Sequence, residues 1–434
     1  MQFQSLSAWL GWLEQCHPCE IDLGLARIAR VAQVLDLLTP SAIVITVAGT
    51  NGKGSCVTAT AALLRAAGHS VGVYTSPHLI SYNERIQVDA ASASDDEICA
   101  AFEAIFNACQ LLSAADGAPL TLTYFEYGTL AALEVFRRRK VSAMVLEVGL
   151  GGRLDAINIL AANIAVITSI DIDHQDWLGD NRELIGYEKA GIMRAERQAI
   201  CADPQPPQSI TAYAQTVSAP LLQIGHDFGF EVDQASDSWS WWSAATRFDA
   251  QPLPHLPLPS VAAALQVAHC LGLDLMALDA FKLVSELRVP GRFQVVEWEG
   301  RQCILDVAHN PAATAYLAQR LINLPKLTCE QESSKARTFA IVAMMSDKDR
   351  TASLANLIPL VDVWYLADLS DIPRAANPQM LIQDLQGLGR AAEFCGSVEQ
   401  CLMQLLAASK AGDRIIICGS FYTVAAGLKL LQAF

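Results

Sequence analysis

The residues whose types and spacing point most directly to chemistry are a lysine, a serine and three glycines near residue 50. The segment IVITVAGTNGKGS, residues 43–55, passes from an apolar run into a glycine-rich turn around Lys53. Glycine allows positive φ and close backbone approach, so consecutive N–H groups here can point at phosphate oxygens while the Lys53 ammonium neutralises them. The segment therefore predicts a phosphate-binding loop for a nucleotide, formed by Thr50, Asn51, Gly52, Lys53, Gly54 and Ser55.

The spacing of this loop differs from the usual phosphate-loop pattern. Gly54 stands between Lys53 and Ser55, whereas the usual pattern has Ser or Thr directly after the lysine. A glycine-rich turn without a ligand is the alternative. The apolar strand before the turn and the helix expected after it favour nucleotide binding, with the Ser55 hydroxyl available to a phosphate or Mg²⁺.

Three further polar residues could hold a phosphate-bound Mg²⁺. Ser76 lies in a polar loop after a short predicted strand, Glu147 ends an apolar strand, and His174 follows another one. Because Mg²⁺ prefers oxygen ligands, a loop hydrogen-bonding role for His174 is as reasonable as metal binding on chemistry alone. Lys189, in the segment GYEKAGI, reads on its chemistry as a solvated helix lysine.

The elements that must position these residues alternate between apolar strands and helices. Strands are predicted at residues 43–48, 71–75, 143–148 and 164–169, and helices at 6–15, 21–35, 56–67, 95–112 and 123–139. This alternation is typical of a mostly parallel α/β sheet, whose ligands bind at the carboxyl ends of its strands. The polar loops named above all occupy that position.

A second α/β domain is expected after residue 288. Pro290 and Gly291 break the preceding helical region, residues 260–287, and strands are predicted at 304–307, 339–344, 363–366 and 414–418, with a polar loop at 324–337. Polar groups again follow strands, notably Asp306 with His309. The predicted fold is thus a P-loop ATPase-like domain, residues 1–288, followed by a smaller Rossmann-like domain, residues 289–434, with the active site in the cleft between them.

Composition limits the possible partners. The 434 residues are 52% hydrophobic and carry a formal net charge of −15, which argues against general nucleic-acid or acidic-membrane binding. The first residues lack a positive region and a continuous apolar run, so we expect a cytoplasmic protein and no membrane partner. Twelve cysteines are scattered, many within apolar runs, and they suggest no disulfide framework.

Taken together, the motifs resemble one family. In order along the chain they are IDLGLARI, VAGTNGKGS, SPHL with NERI, LTYFEYGTLAAL, LEVGLGGRLDAIN, DHQDWLG, EKAGI, PGRFQ, LDVAHNP and GSF. The sequence resembles the dihydrofolate synthase/folylpolyglutamate synthase family of the Mur ligase superfamily. The resemblance implies an ATP- and Mg²⁺-dependent ligase that adds L-glutamate to dihydropteroate and to reduced folates through an acyl phosphate.

The resemblance also assigns roles to individual residues. It implies Mg²⁺ ligands at Ser55, Ser76, Glu147 and His174, and a carbamylated Lys189 that would bind a second Mg²⁺. It implies catalytic roles for Lys53, Asp306 and His309, and nucleotide contacts that include Ser260, Arg292 and Asp306. The substrate-binding positions implied are Leu23, Gly24, Thr123, Tyr124, Phe125, Glu126, Leu154, Asp155, Ala156 and Ser420.

Two positions depart from the family pattern. Ser260 stands where the family often has Asn, so the nucleotide contact there loses an amide, and Ile157 stands where Thr is common, which removes a hydroxyl near the pterin. Three alternatives remain open: a single-activity folylpolyglutamate synthase, a peptidoglycan-type amino-acid ligase and a non-catalytic ATP-binding regulator. Peptidoglycan ligases usually carry an extra domain ahead of the phosphate loop, and with 48 residues before Gly49 we expect no such domain here. We expect a monomer.

Overall fold

Two units make up the computed structural model, which describes residues 3–233, 235–325 and 336–433. The first unit is Met1–Leu287 and the second is Arg288–Phe434. Most of the polar loop predicted at residues 324–337, namely residues 326–335, lies outside the described residues.

The first unit is built around an eight-stranded sheet. Its strands are β1 (Ile43–Ala48), β2 (Val71–Tyr74), β3 (Ile86–Val88), β4 (Ala91–Ser92), β5 (Ala143–Glu147), β6 (Ile164–Ile167), β7 (Gln198–Cys201) and β8 (Leu221–Gln223). Their order across the sheet is β4-β3-β2-β5-β1-β6-β7-β8, and all neighbours from β2 to β8 are parallel. Only the β4-β3-β2 edge is antiparallel. The strand predicted at residues 43–48 is observed with those bounds.

This strand order decides which loops meet. β1 lies between β5 and β6, and β2 is the next neighbour of β5. The loops that follow these four strands therefore emerge side by side at the carboxyl edge of the sheet, where α/β proteins bind ligands. Ser76 and His174 lie in these loops, Glu147 is the last residue of β5, and Lys53 is the first residue of α3.

Helices cover the sheet. They are α1 (Leu6–Leu13), α2 (Ala26–Val34), α3 (Lys53–Ala66), α4 (Asp95–Asp116), α5 (Tyr124–Arg139), α6 (Gln175–Leu178), α7 (Arg182–Ala190), α8 (Gln208–Val217), α9 (Leu258–Cys270) and α10 (Ala280–Glu286), with 3-10 turns at Tyr82–Arg85 and Ala156–Ile159. Helix α3 is rich in Ala, Val, Leu and Thr, and nine of its residues are buried. A helix that is apolar on most sides packs between other elements, and α3 lies against α9.

A smaller antiparallel sheet accounts for the aromatic cluster near residue 240. Its strands are β9 (Phe228–Asp233), β10 (Ser238–Ser243) and β11 (Thr246–Pro252), in the order β11-β10-β9. The alternation of β10 buries Trp239 and Trp241 on one face. These residues pack on α9 and α10, since the Trp241 indole donates to Ala262 O at 3.2 Å and both rings contact Phe281.

Helix α4 is, by length and composition alone, apolar enough to cross a membrane, with a mean hydropathy of 1.5. Core helices of folded domains pass the same test. Its side chains Phe102 and Ile105 are fully buried in the hydrophobic core of the first unit, with Trp9 and Leu130. The packing therefore describes a core helix.

The second unit is a six-stranded α/β sheet. Its strands are β12 (Gln294–Trp298), β13 (Arg301–Asp306), β14 (Thr338–Val342), β15 (Val363–Ala367), β16 (Ala392–Gly396) and β17 (Arg414–Cys418), and its helices are α11 (Pro311–Asn323), α12 (Arg350–Ala355), α13 (Pro378–Gly387), α14 (Val398–Ala408) and α15 (Phe421–Ala433). The order is β12-β13-β17-β14-β15-β16, and only β12 is antiparallel to its neighbour. The predicted α/β fold class is confirmed in both units.

The cysteines behave as expected with one exception. The eleven cysteines among the described residues carry free thiols. Cys56, Cys109, Cys303 and Cys418 are buried in apolar surroundings, but Cys270 is exposed at the end of α9. Cys270 belongs to an apolar run in the sequence, but it is the last residue of α9 and its side chain faces outward.

Candidate active site

The glycine-rich turn forms a tight loop between β1 and α3. Gly52 precedes the first residue of α3 and has a φ of 84°, and Gly49 has a φ of 151°. A Cβ on Gly49 would lie 1.9 Å from Thr168 Oγ1, and a Cβ on Gly52 would lie 2.5 Å from Ser260 Oγ. Both positions need glycine because of backbone conformation and close approach. The loop thus leads directly into the N-terminus of α3, and helix N-termini are sites where anions bind.

The end of β6 holds this loop in place. Thr50 N–H donates to Ser169 O at 2.7 Å, and Asn51 N–H donates to Ser169 Oγ at 3.0 Å. Thr168 Oγ1 and Ser169 Oγ both donate to Asn51 O, at 2.7 and 3.1 Å. Thr50 Oγ1 also accepts from Asp171 N–H at 3.0 Å. These hydrogen bonds were not predicted from the sequence, although two hydroxyl residues directly after an apolar strand could have indicated them.

The Lys53 and Ser260 side chains both contact the loop backbone. Lys53 Nζ donates to Gly49 O at 2.9 Å and to Thr50 O at 3.2 Å, which places the ammonium on the loop itself. Ser260 Oγ, on α9, donates to Gly52 O at 3.1 Å. The short serine side chain at this position, where the family often has Asn, therefore supports the loop.

Two of the predicted metal ligands lie together beside the loop. Glu147 Oε2, at the end of β5, accepts from Ser76 N–H at 3.2 Å, and it lies 3.9 Å from where a Cβ on Gly54 would be. Ser55 is buried in the first turn of α3. The Glu147 carboxylate and the Ser55 hydroxyl are oxygen donors of the kind that suits Mg²⁺, which usually binds one or two carboxylates together with substrate phosphates.

His174 lies at the same sheet edge. It precedes α6 with a φ of 52°, in the loop that follows β6. Among the described residues, no group of three or more His, Cys, Asp and Glu side chains is arranged to hold a metal ion. The protein oxygens at this edge thus form an incomplete set of Mg²⁺ ligands, of the kind that phosphate oxygens of a bound nucleotide complete.

Lys189 does not lie on a solvated helix face. It is 4% exposed on α7, and burial together with the nearby Lys53 charge lowers its pKa to about 7, while Asp173 and Asp155 oppose the shift. The interpretation of Lys189 as a solvated lysine was wrong, because the residue lies on the inward face of a short helix. Lys53, Asp155 and Lys189 thus share one electrostatic environment.

Asp155 organises the loop after β5. Its carboxylate accepts from the N–H groups of Gly149, Leu150 and Ile157 at 3.0, 2.9 and 3.0 Å. Burial raises its pKa to about 6, against these hydrogen bonds and the Lys53 charge. Ala156 and Ile157 are buried in the core and Leu154 is half-buried. The hydroxyl missing at residue 157 is replaced by an apolar side chain that packs inward.

The segment predicted to contact the acceptor begins helix α5. Thr123 and Glu126 form a reciprocal cap, in which Glu126 N–H donates to Thr123 Oγ1 at 3.2 Å and Thr123 N–H donates to Glu126 Oε2 at 2.8 Å. Phe125 is half-buried, and its ring would lie 2.6 Å from a Cβ on Gly149 and lies 6.0 Å from the Tyr74 ring. Tyr124 carries the Arg85 guanidinium over its ring at 5.6 Å.

A residue that sequence reasoning missed joins this cap to the predicted positions Leu23 and Gly24. Arg27 Nε donates to Glu126 Oε2 at 2.9 Å, and its terminal nitrogens bond the Asp22 carboxylate and main-chain oxygen. Two segments separated by about a hundred positions in the chain therefore meet through one guanidinium.

In the second unit, Asp306 joins two loops. Its oxygens accept from Phe293 N–H at 2.7 Å and Ala308 N–H at 2.8 Å. Burial raises its pKa, and the Arg292 charge opposes this. The Arg292 guanidinium lies over the Phe421 ring at 5.0 Å, and the His309 ring is 6.4 Å from the same ring.

His309 and Ser420 are also held by nearby backbone. His309 Nδ1 donates to Val307 O at 2.8 Å, so Nε2 is the acceptor nitrogen of the neutral ring. Ser420 Oγ accepts from Thr423 N–H at 3.0 Å and caps α15. Gly419 N–H donates to Ala308 O at 3.0 Å. The structure thus places Arg292, Asp306, His309 and the Ser420 loop around one side of this sheet.

Comparison with known proteins identifies the family. Residues 47–227 match the Mur ligase middle domain, and residues 291–421 match the Mur ligase glutamate ligase domain. The chain is 41% identical to the dihydrofolate synthase/folylpolyglutamate synthase of Escherichia coli over 99% of this chain and 96% of that protein. It is 36% identical to the protein of the same name from Haemophilus influenzae over 97% and 96%.

Solved structures agree. A complex of E. coli FolC with DHPP and ADP superposes with a TM-score of 0.90 at 41% identity, covering 99% of this chain and 98% of that one. A bifunctional enzyme from Yersinia pestis with AMPPNP and Mn ion gives a TM-score of 0.88 at 40% identity over 99% and 98%. The chain belongs to the dihydrofolate synthase/folylpolyglutamate synthase family of the Mur ligases.

Proposed function

We propose that this protein is an ATP-dependent ligase that adds L-glutamate to dihydropteroate and adds further glutamates to reduced folates. The observation that carries the proposal is the phosphate loop at the end of β1, which is hydrogen-bonded to the segment after β6 and lies beside Glu147. The chain that contains this loop matches a bifunctional enzyme over nearly its whole length. Related structures contain DHPP and ADP, or Mn, AMPPNP and L-glutamate. The corresponding ligands here are a pteroate-type acceptor, ATP with Mg²⁺, and glutamate.

The reaction has two steps. The acceptor carboxylate attacks the γ-phosphorus of ATP and forms an acyl phosphate with release of ADP. The α-amine of glutamate then attacks the acyl carbon, phosphate leaves and the nitrogen gives up a proton. The N–H groups at the start of α3 and the Lys53 ammonium stabilise the charge that develops on the phosphoryl oxygens.

Mg²⁺ fits the oxygen donors beside the loop, and when bound it would neutralise the phosphate charge. Glu147, Ser55 and Ser76 would hold it, with His174 from the loop after β6. For a second ion we propose a carbamate on Lys189. Burial and the lowered pKa favour the neutral amine, which is the form that reacts with CO₂, and a carbamate would place an anion near the Lys53 ammonium.

Roles in the second unit remain proposals drawn from the family. Arg292 and Asp306 would contact the nucleotide, and the Ser420 loop would take part in glutamate binding. We propose that His309 accepts the proton released from the glutamate amine, because its Nδ1–H is engaged by Val307 O and Nε2 is the acceptor nitrogen. Residues 289–434 would thus be the glutamate-binding domain, and residues 1–288 the domain that binds ATP and the acceptor.

A folylpolyglutamate synthase with a single activity is the second candidate, since both reactions need the same nucleotide site. The half-buried Phe125 ring favours the dual activity, because an aromatic side chain suits a flat pterin or benzoyl group. The deciding experiment supplies purified protein with ATP, Mg²⁺ and labelled glutamate, and offers dihydropteroate in one reaction and tetrahydrofolate in another. Product in both supports the proposal, product in one reduces it to a single activity, and product in neither refutes it.

We also propose that the protein acts as a cytoplasmic monomer. Support comes from the packing of α4 in the core and from the acidic net charge. Gel filtration with light scattering, combined with fractionation of cells that express the full chain, would test both points.

A further inference from the structure

Arg27 occupies an unfavourable place for a cation, which suggests a specific role. It is the second residue of α2, where the helix dipole repels positive charge. Its side chain is nevertheless largely buried, and it contacts one carboxylate on each side, Asp22 and Glu126. The two contacts compensate for the dipole and fix the guanidinium.

The contact with Glu126 neutralises a buried charge. Glu126 Oε2 accepts from Arg27 Nε and from both the N–H and Oγ1 of Thr123, at 2.9, 2.8 and 3.1 Å. Glu126 Oε1 is buried without a hydrogen-bond partner among the described residues. A buried carboxylate of this kind requires a nearby cation.

The contact with Asp22 fixes a segment outside regular structure, which His17 also contacts, since His17 Nε2 lies 3.6 Å from Asp22 Oδ2. Residues 21–24 form neither helix nor strand, and a Cβ on Gly24 would meet no atom within 4 Å. Arg27 bonds both the carboxylate and the main-chain oxygen of Asp22. It therefore fixes the backbone directly before Leu23 and Gly24.

We propose that Arg27 is a positioning residue for the acceptor, because it holds the Asp22–Gly24 segment at a fixed place relative to the Thr123–Glu126 cap. The inference rests on the proposed function, in which Leu23, Gly24 and Phe125 contact the pterin or benzoyl part of the acceptor. Arg27 itself need not touch the acceptor. The two contacts of Arg27 connect the segment before α2 to the start of α5. Neither segment can therefore shift alone while the guanidinium is bonded to both.

The main test is Asp22→Ala, compared with Asp116→Ala. Both acids are partly exposed and each pairs with an arginine of α2, since Arg30 Nη2 lies 2.7 Å from Asp116 Oδ2. Asp22→Ala should raise the KM for dihydropteroate about three- to ten-fold, with little change in kcat or in the KM for ATP. Asp116→Ala should leave all three constants within about two-fold, because Arg30 is 45% exposed, against 23% for Arg27, and a pair exposed on both sides contributes little.

Two substitutions of Arg27 separate positioning from folding. Arg27→Lys keeps a cation near Glu126 but lacks the planar fork that bonds both acids, so it should fold normally and raise the acceptor KM as Asp22→Ala does. Arg27→Met leaves Glu126 buried without its cation and should lower the melting temperature. Wild-type acceptor KM in both Asp22→Ala and Arg27→Lys would overturn the inference.

A readout independent of activity keeps the two proposals separate. Amide hydrogen exchange of residues 21–25 should be faster in Asp22→Ala than in wild type, and unchanged in Asp116→Ala. Equal exchange rates in all three proteins would overturn the positioning role even if the enzyme is active. If wild-type protein makes no product from either acceptor, the proposed function fails, and the exchange data then decide the role of Arg27 alone.

Discussion

Ser169→Ala tests whether the end of β6 holds the phosphate loop in its binding conformation. Ser169 Oγ accepts from Asn51 N–H at 3.0 Å and donates to Asn51 O at 3.1 Å. The substitution removes both hydrogen bonds and introduces no steric conflict. The main-chain bond from Thr50 N–H to Ser169 O, at 2.7 Å, remains. The loop should therefore stay near its place but become less well defined.

The magnitude follows from the number of bonds lost. Each net hydrogen bond contributes about 0.5–1.5 kcal/mol, so the loss of two destabilises the ordered loop by about 1–3 kcal/mol relative to disordered alternatives. A difference of that size changes an equilibrium about 5- to 150-fold. We expect the KM for ATP to rise by that factor and the KM values for acceptor and glutamate to change little. Steady-state ADP release at varied ATP, with the other substrates saturating, measures this.

Ser353→Ala is the matched control. Ser353 is buried in the second unit, and its Oγ donates to Asp349 O at 2.6 Å. This variant loses a serine hydrogen bond to a main-chain oxygen and should lower the melting temperature similarly, while the KM for ATP stays at the wild-type value. The reasoning is refuted if Ser169→Ala keeps a wild-type KM for ATP, or if Ser353→Ala raises it equally.

Three further predictions concern the candidate site. Lys53→Ala should abolish ATP turnover while circular dichroism and the unfolding midpoint stay near wild type, because the side chain contacts the loop and not the core; turnover in the folded variant would contradict the loop assignment. Lys189→Ala should lose activity and regain part of it with short carboxylic acids. Wild-type protein depleted of CO₂ should be reactivated faster as pH rises through about 7 at fixed dissolved CO₂, because the neutral amine is the form that reacts. A pH-independent reactivation rate would argue against the carbamate. Gly149→Ala should displace the Phe125 ring, which would lie 2.6 Å from the new Cβ, and should raise the KM for dihydropteroate but not for ATP. Phe125→Ala should impair the dihydropteroate reaction more than folate extension. Equal losses in the two reactions would place the ring elsewhere.

Local pattern was enough to predict the phosphate loop. The strand at residues 43–48, the turn and the start of α3 are set by neighbouring residues, since β-branched residues, glycines and alanines act over a few positions. The strand at residues 414–418 was predicted with its observed bounds for the same reason. Strands β12 and β16 are less buried and alternate in exposure, and β16 was missed because its apolar pattern is weak.

The environment of Lys189 shows where local pattern fails. Its neighbours in sequence suggested a solvated helix, whereas the structure buries it close to Lys53. Whether a helix face is buried depends on what packs against it, and a short helix with few apolar residues gives little indication of that. The pKa of this amine is thus a property of the tertiary structure.

The sequence by itself determined the α/β class, the phosphate loop, the family and the identity of the residues that follow each strand, because these depend on residue type and short spacings. Only the tertiary structure decided which of those residues meet. The order β2-β5-β1-β6 brings Ser76 to Glu147 and Ser169 to Asn51, and the packing of α2 against α5 brings Arg27 to Glu126. These partners are separated by about 70 to 120 positions, and hydrogen bonds over such separations are set by sheet order and helix packing, which no local pattern contains.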